Sequence, residues 1–79
     1  MIEKRAAQRF RVFKGGRIAF GGGGVACTVR NMSTTGAAVD LEQQIALPPS
    51  FMLLIERDRF KRRCRPVWHN DKRVGLAFD

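Results

Sequence analysis

Seventy-nine residues make one small domain, which by size scaling buries only about 60% of the surface its unfolded chain exposes, too little for a deep enzyme cleft. Fifteen Lys plus Arg against seven Asp plus Glu leave a net charge of +8, so the expected partner is anionic. With 44% hydrophobic residues and six Phe, the basic residues decorate a folded core and not a disordered tail.

Residues 1–11 form a basic arm, with Lys4, Arg5, Arg9 and Arg11 close together and Ala6, Ala7 and Gln8 adding some helical propensity. The arm is too short to be a stable helix alone and is expected to be mobile when free. In one helical turn Arg5 and Arg9 would share a face, where their like charges repel. An anion between them removes the repulsion, and guanidinium forks suit phosphate oxygens and guanine edges better than Lys does. A solvated basic tail is the plainer alternative.

Residues 10–20 predict a first strand, with Phe10, Val12, Ile18 and Phe20 as core candidates and Gly15-Gly16 as a bulge or kink. Gly21 to Gly24 follow as a hairpin turn; the Lys-Ser/Thr of a phosphate loop is absent. Residues 25–30 alternate as a half-buried strand. The polar stretch Asn31-Met32-Ser33-Thr34-Thr35-Gly36 then breaks it, with Gly36 a candidate for a left-handed backbone. Such a turn presents Asn31 and Ser33 outward while Gly36 lets a ligand approach the backbone; the alternative is a hairpin corner that binds nothing. Deleting the Ser33 hydroxyl is expected to spare stability.

Residues 37–41 resume the strand pattern, and 42–50 form a connection in which Pro48-Pro49 forbids a central strand. Residues 51–56 are a short apolar strand, Arg57-Asp58 a charged hairpin turn, and 59–69 a long return strand. Neither parity of that strand is cleanly apolar, so a bulge near Pro66 is expected to swap faces and point Cys64 and Val67 inward. Asn70-Asp71 turns the chain into a last strand, 72–78. Six strands with regular turn signals and no long amphipathic helix predict an all-β antiparallel barrel.

Cys27 and Cys64 are too few and too widely spaced to staple a secreted domain, and are expected to be reduced, buried thiols in a cytoplasmic protein. No apolar segment follows the charged N-terminus, and no run approaches the roughly 18 residues of a membrane span, so no membrane insertion is expected.

Three separated features make the chain similar to the PilZ domain, the bacterial receptor module for the second messenger cyclic di-GMP. Arg5-Ala6-Ala7-Gln8-Arg9 resembles that family's RxxxR arm, and Asn31 to Gly36 resembles its [D/N]xSxxG motif. The tail from Pro66 to Phe78 resembles its closing hairpin, Gly75 and Phe78 included. The resemblance covers nearly the whole chain as a single domain, 1–79, with an arm at 1–11 and a six-stranded barrel at 12–79. It implies a nucleotide-binding receptor without catalysis or cofactor. Arg5 and Arg9 would meet the phosphates and the guanine O6 and N7 edge, Asn31 and Ser33 would hydrogen-bond to guanine, and Gly36 would leave room for the base. The arm would order on binding and signal to a downstream protein that the sequence does not identify. Lys4, just before the first arginine, is the position that the family relates to binding one ligand or a stacked pair. Trp68 either stacks near a guanine or fills the barrel wall, and an indole in a small barrel favours the wall. Many PilZ domains carry a helix after the last strand, and none is expected before Asp79.

The competing expectation is a small basic barrel that binds nucleic acid non-specifically, supported by the net charge and by Arg59, Lys61, Arg63 and Arg65 on one strand face. With no Tyr and most Phe at core parity, a stacking platform is hard to assemble, which counts against nucleic acid. His69 stands alone, no Cys/His spacing fits a metal, and no carboxylate pair stands in a plausible cleft, so neither catalysis nor a metal is expected.

Overall fold

Alternating apolar and polar residues divide the chain into six strands: β1 (Phe10–Phe20), β2 (Gly23–Met32), β3 (Gly36–Leu41), β4 (Phe51–Ile55), β5 (Phe60–Asn70) and β6 (Arg73–Phe78). The structure is a computed structural model and describes residues 10–79. The strands are antiparallel throughout and close into a barrel in the order β1-β2-β3-β6-β5-β4. This is the predicted fold class. Beyond the strands, the only helical element among the described residues is a 3-10 turn, Glu56–Asp58. Closure depends on two pairings between strands distant in sequence, β1 with β4 through Ile18 opposite Leu53, and β3 with β6 through Val39 opposite Val74.

Every second residue points inward. Ile18 from β1, Cys27 and Val29 from β2, and Ala37, Val39 and Leu41 from β3 meet Phe51, Leu53 and Ile55 from β4, Cys64 from β5, and Val74 and Leu76 from β6. Full burial of one such aliphatic side chain contributes about 1.5–3 kcal/mol. Ile18, Val29, Val39, Leu53, Ile55 and Val74 are fully enclosed, so the core holds the barrel shut. Both thiols are free and buried.

Local geometry departs from the sequence reading in several places. Phe10 is 58% exposed and not core, although its cross-strand partner Met32 packs against the core; Val12 and Phe20 only flank the core. The irregularity in β1 falls between Arg11 and Lys14 and not at Gly15-Gly16. Asn31 belongs to β2, so the corner shrinks to residues 33–35. Arg59 takes a left-handed backbone, φ 53°, after the 3-10 turn, which starts β5 one residue late. The turn into β6 likewise moves one residue on, with Asp71 left-handed at φ 58°.

The expected bulge at Pro66 is present, with a register shift between Pro66 and Trp68. Its effect on Val67 is the reverse of the expectation. Val67 is the extra residue, pairs with nothing in β6, and is 61% exposed. Trp68, which shares inward parity with Cys64 in a regular strand, is carried to the outer surface opposite Gly75.

Candidate functional site

Two bulges aim side chains at one patch of the outer wall. In β2 the register against β3 shifts between Val29 and Asn31, so Asn31 faces out beside Arg30 while Met32 returns to the core. In β5 the bulge brings out Trp68. Between them lie β3 and β6, whose outward residues here are all small. Gly36 pairs with Ala77, and Ala38 with Gly75. These four residues floor a cleft of about 470 Å³, walled by Asn31, Ser33, Thr35, Arg65, Val67 and Trp68.

Ser33 holds the corner at one end of the cleft. Its Oγ accepts hydrogen bonds from the backbone N–H of Thr35 and of Gly36, each at 3.2 Å. Its hydroxyl also lies 3.2 Å from Thr35 Oγ1, and its own N–H donates to the Gly36 carbonyl at 2.9 Å. The corner is tied to the neighbouring strand by Phe78 N–H, which donates to the Thr35 carbonyl at 2.8 Å. Ser33 is therefore first a keystone of the turn, and removing its hydroxyl is not neutral for stability as the sequence alone implied.

Gly36 does not take a left-handed backbone; Gly22 is the one glycine that does among the described residues. The need for glycine at 36 comes from packing. A Cβ there would collide with the Leu76 carbonyl oxygen of β6. Gly75 has a different neighbour, since a Cβ there would run into the Trp68 indole, which covers the Gly75 backbone. Trp68 is 42% exposed. It is a wall of the cleft and not of the barrel interior, which corrects the wall-filling expectation.

One cation lines the cleft, and a carboxylate sits beside it. Arg65 reaches the cleft while its Nη1 donates to Asp79 Oδ1 at 2.7 Å, an exposed pair that contributes little and is readily exchanged. Behind the rim, Asp40 receives Arg73 through Nε at 2.6 Å and Nη2 at 3.0 Å, and Arg30 through Nη1 at 3.1 Å. The Arg73 hydrogen bonds, helped by both cationic charges, hold the Asp40 carboxyl below its ordinary range. One carboxylate thus balances part of a two-arginine cluster.

Of the residues singled out from sequence, Asn31, Ser33, Gly36 and Trp68 meet at this cleft. Lys4, Arg5 and Arg9 lie outside the described residues. Arg65, Ala38, Ala77 and Val67 were missed as cleft residues. The alternation of small residues at 36 and 38 and at 75 and 77 was visible, yet only the β3–β6 pairing makes it a floor. Exposed aromatics were also underestimated: Phe13 is 75% exposed, with the Arg30 guanidinium 5.5 Å from its ring centre. Among the described residues no cluster of His, Cys, Asp or Glu is arranged to hold a metal, and no helix is long and apolar enough to cross a membrane.

The arrangement suits a planar, polar-edged anion. A floor of glycines and alanines admits a ring system, an indole offers a face, amide and hydroxyl groups read edges, and a guanidinium meets a phosphate. Compared with known families, residues 3–79 match the PilZ domain. No curated protein matches the chain.

Proposed function

The chain belongs to the PilZ domain family of cyclic di-GMP receptors, a non-catalytic ligand-binding module, and on that premise we propose that it binds cyclic di-GMP in the cleft on the outer face of β3 and β6. The observation that carries the proposal is the convergence of Asn31, Ser33, Gly36, Arg65 and Trp68, from three different strands and one turn, on a floor of Gly36, Ala38, Gly75 and Ala77.

One guanine lies on that floor with Trp68 at its side, where burial of ring surface and stacking contribute about 1 kcal/mol. The Asn31 amide reads the guanine edge. Ser33 acts through the turn that its Oγ holds, and its hydroxyl hydrogen turns from Thr35 to a ligand acceptor. Gly36 lets the base approach the backbone, because any side chain would occupy the floor. Arg65 leaves Asp79 for a ligand phosphate. Arg5 and Arg9 complete the site from the arm, meeting phosphates and the guanine O6 and N7 edge. Ordering of the arm changes the surface seen by a downstream protein and so transmits the signal. Lys4 bears on whether one ligand or a stacked pair is held. No cofactor takes part, and a cytoplasmic setting fits a receptor for a soluble second messenger.

Binding of nucleic acid by the basic barrel is the competing function, and exposed Phe13 against Arg30 gives it one stacking position. Calorimetric titration with cyclic di-GMP, GTP and a short single-stranded DNA at two salt concentrations separates the two. Cyclic di-GMP is expected to bind at micromolar concentration or tighter, with a shallower salt dependence than DNA, which contacts many phosphates. Arg5→Ala, Arg9→Ala and Trp68→Ala should each weaken it, the arginine changes by roughly tenfold to a hundredfold. Tighter binding of DNA at physiological salt would transfer the function to nucleic acid.

A further inference from the structure

In the barrel order, β4 lies three strands from β3 in either direction, so its outer face points away from the part of the cleft floor on β3, and β5 borders both. That face has an unusual composition. Inward Phe51, Leu53 and Ile55 leave Met52 and Leu54 outward, where both are half-buried. Across the sheet, Arg17 of β1 pairs with Leu54, which pairs with Lys61 of β5; in the next row Ala19 pairs with Met52, which pairs with Arg63. An apolar strip one strand wide therefore runs between a cation on one side and two on the other. Among the described residues none of Arg17, Lys61 and Arg63 has a carboxylate partner; the Arg63 guanidinium reaches only Ser50 Oγ, at 3.4 Å. Beside Leu54 the surface dips into a groove of about 320 Å³ lined by Gly15, Gly16 and Arg17, with Glu56 as its one acid.

We propose that this face docks an acidic amphipathic helix of a partner protein. The dimensions agree. Neighbouring strands are about 4.8 Å apart, so the two cationic rows are separated by about 10 Å, the diameter of a helix. Lys61 and Arg63 are about 6.6 Å apart along β5, close to the roughly 6 Å between residues four apart on a helix. A helix lying along β4 places its apolar stripe on Met52 and Leu54, a large side chain in the groove, and its carboxylates on Arg17, Lys61 and Arg63. Nucleic acid fits less well, because the strip and its flanking cations include no aromatic for a base, the nearest exposed ring, Phe13, being held against Arg30 on the β2 side of β1, and because it would leave the apolar strip uncovered. An anionic bilayer also fits less well. Met52 and Leu54 sit lower than the long cations beside them, whereas insertion into a membrane needs apolar groups that project. The docking face shares only β5 with the cleft and gives the downstream partner a place and a chemistry.

The test uses fluorescence anisotropy with a designed helical peptide of about 15 residues, leucines on one face and glutamates on both flanks. Its controls are a peptide of the same composition in scrambled order, a short DNA duplex, and vesicles containing phosphatidylserine. The helical peptide is expected to bind the wild-type chain several-fold more tightly than the scrambled one. The double variant Lys61→Glu with Arg63→Glu should weaken binding about tenfold, and Leu54→Ser should weaken it several-fold. Both variants should melt within a few degrees of wild type, and Leu54→Ser, which alters no charge, should leave cyclic di-GMP titration unchanged, whether or not that ligand binds. Equal binding of the scrambled peptide would sink the proposal, as would failure of the helical peptide to bind. Tighter, variant-sensitive binding of the duplex or the vesicles would assign the face to those partners instead.

Discussion

Replacing Gly36 by Ala tests the packing of β3 on β6 most directly. The new methyl would lie far inside the closest approach that real Cβ atoms make to a carbonyl oxygen, and the obstacle, the Leu76 carbonyl, is fixed in the sheet. The strands must part locally. Overpacking of this kind costs about 1–3 kcal/mol. The hydrogen bonds from Ser33 N–H to the Gly36 carbonyl and from Phe78 N–H to the Thr35 carbonyl, at 2.9 and 2.8 Å, flank the clash; weakening them adds about 0.5–1.5 kcal/mol. A total of about 1.5–4.5 kcal/mol corresponds, for a domain of this size, to a fall in Tm of roughly 6–36 °C. Circular dichroism melts and guanidinium titrations without ligand measure it. Gly15→Ala is the control, since a Cβ there meets nothing within 4 Å, and its stability should change by less than about 0.5 kcal/mol. A Gly36→Ala protein melting within a few degrees of wild type would refute the reasoning.

Gly75→Ala should behave differently, because the neighbour is a movable side chain. The indole swings off the surface, tryptophan emission shifts to the red, and cyclic di-GMP affinity drops with a smaller stability loss than at Gly36; unchanged emission would contradict the stacking of Trp68 on Gly75. Ser33→Ala removes the acceptor of the Thr35 and Gly36 N–H groups and should cost about 1 kcal/mol or more of stability in addition to weakening ligand binding. An unaltered melt would show that the turn stands without its hydroxyl. Burial pushes the Cys27 and Cys64 thiols up from 9.0 to about 11. Between those values the folded chain binds more protons than the unfolded one, so stability is full below pH 9 and declines as pH rises toward 11, by up to about 2–3 kcal/mol per thiol. Guanidinium unfolding at pH 8 and pH 10.5 checks the slope, and Cys64→Val should reduce it; a flat profile in the wild-type chain would mean that the thiols are not buried in solution.

Much of the barrel was legible because strand alternation is written residue by residue. Ile18, Val29, Val39, Leu53 and Val74 all point where parity places them, and Gly21-Gly22 and Pro48-Pro49 punctuate the chain through backbone constraints that need no partner. The motif Asn31 to Gly36 was equally plain, since residue identities carry it. What the sequence could not supply was anything set by pairing between distant strands. The bulge at Pro66 was foreseeable from conflicting parity, but which residue it expels depends on the register against β6, and that register sends Trp68 outward over Gly75 and leaves Val67 unpaired. The demand for glycine at 36 arises from a carbonyl forty residues away, brought into contact by the β3–β6 ladder. The floor of the cleft exists only because Gly36 and Ala38 face Ala77 and Gly75 across that ladder. Local propensity and periodicity determine each strand and its inward face; the outer surface, where little packing constrains the side chains, takes its function from neighbours that only barrel closure selects.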